Sequence, residues 1–133
     1  MPIHHDLLGA QLLSTERIFR PIADEARGAK SCSAYENVVV GGATVPMHRH
    51  AVEEIIVCLS GTAERTFEGG KPEAYAAGSV VIIPAGKLHT LRNTGSSELR
   101  QLSFFAGPNP DTHWVESAGS VEFGQPANGL ERP

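Results

Sequence analysis

Between residues 31 and 105 the chain is a succession of short β-like runs, 33–40, 54–59, 63–68, 80–83, 90–93 and 99–105, each closed off by Gly, Pro, Asn or Ser. Strands this short and this regularly spaced indicate an all-β barrel or sandwich. Gly69-Gly70 reads as a tight hairpin turn and Pro84-Ala85-Gly86 as a second sharp turn. Ahead of the runs, Leu7, Leu8, Leu12 and Leu13 and then Ile18-Phe19-Arg20-Pro21 suit one helical turn or an edge strand. Behind them, a tail rich in Gly, Pro, Asn and Ser carries His113-Trp114 and Phe123, and is expected to wrap the barrel or lie on a neighbouring subunit. The 133 residues suffice for one compact domain and not two. The expectation is a single domain over 1–133, with an irregular N-terminal extension 1–30, a barrel core of about 31–106 and an irregular tail 107–133.

With 41% hydrophobic and 20% charged residues and a formal net charge of -4, the chain has the composition of an ordinary globular protein. A mildly acidic surface without clustered Lys or Arg argues against nucleic acid or anionic membrane as partners, and points to small molecules. No apolar run approaches the length of a bilayer span, and the N-terminus lacks the basic-then-apolar pattern of a signal peptide. A cytoplasmic location is the resulting expectation. Cys32 and Cys58 are too few for a disulfide framework and are expected to stay as thiols.

Four groups able to bind one transition metal lie between Gly42 and Asn93: His48, His50, Glu54 and His89. In a strand, residues two apart share a face, so His48 and His50 can point into one cavity while Arg49 points away. His89 follows the turn at 84–86, ahead of a strand expected to begin at about Thr90. Glu53 is the rival carboxylate, but its parity assigns it to solvent. Parity also groups Glu54, Ile56 and Cys58, which makes Cys58 a core thiol packed as a small hydrophobe. Tyr35, Gln101, Ser103 and Phe105 line the pocket if their strands turn that face inward, which parity does not settle. His113 and Trp114 either cover a barrel mouth or serve as tail packing. His4 and His5, near the terminus, are expected to be solvated and without a role.

At these segments the sequence resembles the cupin family. The first motif of that family is matched by Gly42, His48, His50, Glu54 and Gly61, and the second by Gly78, Pro84, Gly86, His89 and Asn93. The resemblance implies a single cupin β-barrel of jelly-roll type, a double-stranded β-helix, with a metal held by His48, His50, Glu54 and His89. It also implies a homodimer, in which N-terminal strands are often exchanged. It does not imply one reaction, because cupins include dioxygenases, isomerases, lyases, decarboxylases and proteins that only bind.

Three imidazoles and a carboxylate suit one divalent Fe, Mn, Ni, Co or Zn ion rather than Ca(II) or Cu(I). Six-coordination would leave about two positions open to substrate. The leading expectation is therefore a metal-dependent enzyme, a dioxygenase or a lyase or isomerase, acting on a small oxygen-rich or carbonyl substrate bound at the metal. The alternative is a non-catalytic small-molecule binding or sensing module, favoured by the absence of a second acid/base constellation. A metal that only pins the barrel together is a third reading.

Overall fold

The computed structural model describes residues 3–4, 11–14, 17–115 and 120–122. Twelve strands pair antiparallel into two six-stranded sheets, and a short 3-10 turn at Glu25–Arg27 is the helical element among the described residues. The strands are β1 Gln11–Ser14, β2 Arg17–Ala23, β3 Ser33–Val39, β4 Thr44–Arg49, β5 Glu54–Ser60, β6 Thr62–Phe67, β7 Glu73–Ala76, β8 Val80–Ile83, β9 His89–Asn93, β10 Leu99–Phe105, β11 Asp111–Trp114 and β12 Ser120–Glu122. One sheet runs β1-β2-β3-β10-β5-β8 and the other β12-β11-β4-β9-β6-β7. Consecutive strands alternate between the sheets along much of the chain, which gives the double-stranded β-helix of a jelly roll. No helix among the described residues is long and apolar enough to cross a membrane.

The period-two burial expected of strands with one face on a core is clearest in β10, where Leu99, Gln101, Ser103 and Phe105 are buried and Arg100 and Phe104 are exposed. In β5 the same alternation buries Glu54, Ile56 and Cys58. The inward face of β3 carries Tyr35. The interior divides into two apolar clusters. Val39, Ala43, Val45, Cys58, Ala63, Leu91, Leu99 and Trp114 form one, and Phe19, Tyr35 and Phe105 form the other, with Phe19 stacked on Tyr35 at 4.8 Å. Cys58 is thus a core thiol, and Cys32 is a free, exposed one.

Two expectations for the ends need correction. The segment around Ile18 to Pro21 is not an edge, because β1 pairs on the outer side of β2 and β3 on its inner side. The tail is not irregular throughout: β11 pairs with β4 and carries β12 on its other side. Short strands flanked by Pro and Gly have little periodic signal of their own, and here pairing to a preformed edge supplies their order. The same holds for β7, Glu-Ala-Tyr-Ala, which is not among the six runs read from the sequence. Leu7, Leu8, His5 and Phe123 lie outside the described residues.

The turn glycines explain why the strands that carry Glu54 and His89 are bounded where they are. Gly61 sits at φ 97, and a Cβ there would meet the Glu98 carbonyl oxygen and Leu99 Cα at 3.0 Å, so neither the conformation nor the space admits a side chain. Gly86, at φ 77, sends its N–H to the His50 carbonyl at 2.7 Å, tying the turn before His89 to the residue after β4. Asn93 closes the end of β9. Fully buried, it donates from Nδ2 to the Val39 and Ser97 carbonyls, both at 2.9 Å, and accepts from the Gly95 N–H at 2.9 Å. Replacing Asn93 by Ala would orphan the buried Val39 carbonyl and remove the bonds that tie down the Gly95 N–H and the Ser97 carbonyl nearer the surface. Urea unfolding should show a loss of about 3 kcal/mol, several times that of an ordinary surface substitution.

Candidate metal centre

His48 lies at the end of β4, His50 one residue past that strand, and His89 at the first residue of β9, one position earlier than the start expected for it. His48 and His89 are register partners across the β4-β9 pair. All three side chains are buried, Arg49 between the first two is exposed, and the potential ligand atoms of the three histidines lie within 4.8 Å of one another. Glu54 opens β5 in the opposite sheet and reaches the same space. Its Oε1 stands 3.4 Å from His50 Nε2 and 3.8 Å from His89 Nε2. Glu53 is exposed.

Each imidazole is held by a backbone carbonyl at its other nitrogen. His48 Nδ1 donates to Pro46 at 2.7 Å, His50 Nδ1 to Asp111 at 2.8 Å and His89 Nδ1 to Lys87 at 2.8 Å. A carbonyl accepts only from N–H, so the proton of each neutral ring sits on Nδ1 and Nε2 presents a lone pair. That is the arrangement by which outer partners orient metal-binding histidines. Burial, reinforced by His89 and His50, holds His48 well below the ordinary imidazole value, against an opposing pull from the Pro46 carbonyl. His89 is pushed down to about 3, by burial first and the Arg65 charge second. His48 and His89 are therefore neutral near pH 7, the form a metal requires. His89 Nε2 is fully buried and has no hydrogen-bond partner. An orphaned acceptor in a dry pocket is costly, and a divalent cation is the group that would satisfy it, so the donor set fits a metal ion.

The surrounding walls are aromatic. Trp114 packs on His48 at 4.8 Å between ring centroids, and Phe105 meets His50 edge-on at 4.9 Å. Of the residues whose role was open, Phe105 and Trp114 line the cavity, whereas Tyr35 packs behind Phe105. Gln101 and Ser103 face inward without lining it, and His113 is half-buried beside Trp114. His4 is exposed, with its Nε2 2.8 Å from the Arg27 carbonyl. The cavity is also lined by residues that sequence reasoning passed over: Arg17, Asn37, Arg65 and Thr112. For Arg65 a signal existed, since it alternates with the inward-facing Ala63 on β6. For Arg17 and Thr112 there was none, because β2 and β11 were not assigned to the barrel.

The family model for the cupin domain matches residues 34–105, more than half of the chain. The chain belongs to the cupin family. Among curated proteins, this cupin is similar to the germin-like protein 8-14 of Oryza sativa subsp. japonica, with 35% identity over 80 residues, 56% of this chain and 37% of that one. It is also similar to the dimethylsulfoniopropionate lyase DddQ of Ruegeria pomeroyi, with 37% identity over 62 residues, 47% of this chain and 31% of that one. The chain thus spans about a third of the length of these curated relatives. Among solved structures, an oxalate decarboxylase of Bacillus subtilis, described with Mn(II) centres, superposes with a TM-score of 0.73 over 81% of this chain and 30% of that one, at 23% identity. That likeness concerns the fold.

Proposed function

We propose that this cupin is a metal-dependent lyase, holding one divalent transition metal with His48, His50, His89 and Glu54 and acting on a small oxygen-rich or carbonyl substrate. The observation that carries the reading is the set of three imidazoles, each locked by an Nδ1–H to carbonyl bond, whose ligand atoms lie within 4.8 Å of one another in a cavity that Glu54 also lines. An ion bound there supplies Lewis acidity, polarising a carbonyl or carboxylate oxygen. The chain's own contribution is to hold the ligands in one tautomer and to exclude water with Trp114 and Phe105. Lyase chemistry is preferred to oxygen chemistry because a lyase and a decarboxylase stand among the relatives. The test is to purify the protein without a metal-chelating tag, quantify its metals, and follow cleavage of small carbonyl and carboxylate substrates under parallel loading with Mn(II), Fe(II) and Zn(II). Cleavage should persist with zinc and proceed without O2. Stoichiometric O2 uptake that zinc abolishes would replace the lyase with a dioxygenase, and binding without turnover under every metal would leave a sensing module.

The assembly proposed for it is a homodimer formed on the outer face of the first sheet. There Ile55, Leu59, Val80, Ile82 and Phe104 stand 37–60% exposed, on β5, β8 and β10. Ile55 is the register partner of both Ile82 and Phe104, so these side chains form one continuous apolar strip. Light scattering should give about twice the 14.2 kDa chain mass. Ile82→Lys with Val80→Lys should halve that value, and a wild-type monomer at micromolar concentration would sink the proposal.

A further inference from the structure

We propose that the histidine cavity is also an anion site, in which Arg65 and Arg17 clamp a carboxylate of a small acidic substrate whose other end faces His48, His50 and His89. The inference rests on the reading of that cavity as the substrate site, and narrows the substrate class to carboxylate anions.

Arg65 is 3% exposed. A guanidinium keeps its charge at any physiological pH, and burying one without a counter-charge is costly. Its partners hold it in place without neutralising it. Arg65 Nη2 donates to the Tyr75 hydroxyl at 3.3 Å, and the guanidinium carbon lies 5.9 Å from the centre of that ring. Tyr75 in turn donates to Gln101 Oε1 at 2.6 Å, and burial raises its phenol above the ordinary value, so it stays a neutral hydroxyl. Glu73, the register partner of Arg65 on β7, is exposed, and among the described residues no carboxylate makes an ion pair with Arg65. Arg65 Nε is buried with no partner at all. A positioned, charged and unsatisfied guanidinium lining a cavity is a built receptor for a carboxylate, which matches its fork of donors.

Arg17 supplies the second charge from the opposite sheet. Its Nε donates to Asn37 Oδ1 at 3.0 Å and its guanidinium carbon lies 5.1 Å from the Phe19 ring centre, which fixes the side chain along the cavity wall. Burial lowers Arg17 to about 10, with Glu54 opposing and Arg65 reinforcing, so the two arginines and Glu54 act on one another electrostatically. Two guanidinium groups face one carboxylate, and burial holds His48 and His89 neutral. One positive charge is left over before any metal is counted, and a divalent ion raises the excess. A carboxylate ligand removes it. The enclosed space is small, about 20 Å³, and reaches about 430 Å³ only when the open mouth is counted, so a ligand here is compact and reaches in from the mouth.

The probe is malonate, compared with its neutral diamide, titrated calorimetrically into the metal-free and the Mn(II)-loaded protein. Malonate should bind at least tenfold more tightly than malonamide. Arg65→Gln should weaken malonate about 10- to 100-fold while leaving malonamide unchanged. Arg65→Lys should recover only part of the loss, because it restores charge without the fork. Arg17→Gln should weaken malonate in the same direction. Malonate affinity unchanged in folded Arg65→Gln and Arg17→Gln, in both metal states, would overturn the clamp, as would equal binding of malonamide by the wild type. Metal content separates this proposal from the lyase reading. Arginine-dependent binding in a protein that takes up no metal would retain the clamp and remove the metal enzyme, whereas full metal content without arginine dependence would do the reverse.

Discussion

Replacing His89 by Gln, or His50 by Ala, should reduce bound metal from about one divalent ion per chain to a small fraction of that. The ligand atoms of the three histidines lie within 4.8 Å of one another, and removing one leaves a donor set that cannot close around an ion. His89 is only 1% exposed, so Ala at that position would also open a cavity, and Gln, nearer in volume, separates metal loss from unfolding. Glu54→Gln should lower metal affinity, because its carboxylate stands 3.4 and 3.8 Å from two of the Nε2 atoms. Glu53→Gln should leave it unchanged, since that side chain is in solvent. Elemental analysis of protein prepared without a chelating tag checks all four variants. Full occupancy in both histidine variants would remove the proposed centre, and opposite results for the two glutamates would exchange their roles.

The metal-free protein should lose stability steeply as pH falls from about 6.5 towards 3. In the unfolded chain His89 titrates near 6.5, whereas in the fold it is pushed down to about 3. Between those values the unfolded state binds a proton that the native state refuses, so stability falls with falling pH, and the contribution is fully present only above about 6.5. For His89 alone the difference across the window is on the order of 5 kcal/mol, and His48 shifts in the same direction. Carboxylates titrate in the lower part of the range too, so the readout is a comparison. Thermal unfolding of the metal-free wild type should fall with pH more steeply than that of His89→Gln, and parallel curves would mean that His89 is not buried in its neutral form.

The pairing of short strands with glycine and proline turns made the all-β class legible, and the six runs over 33–105 match strands of the structure within one or two residues. The physics is local. Period-two burial and turn residues with positive φ leave their mark on consecutive residues, as in the buried and exposed alternation of β10 or the forced glycine at Gly61. The spacing of His48, His50, Glu54 and His89 was legible for the same reason, because it follows strand parity and one turn. What the chain could not show by itself depends on contacts between residues distant in sequence. Asp111 orients His50 across 61 positions, Trp114 reaches His48 only because β11 pairs with β4, and Arg17 acts on Glu54 and Arg65 only because β2 joins the sheet of β5 and faces that of β6. Such contacts carry no period and no spacing in the sequence. The charge balance of the cavity, on which the proposed substrate class rests, was therefore set by the tertiary structure.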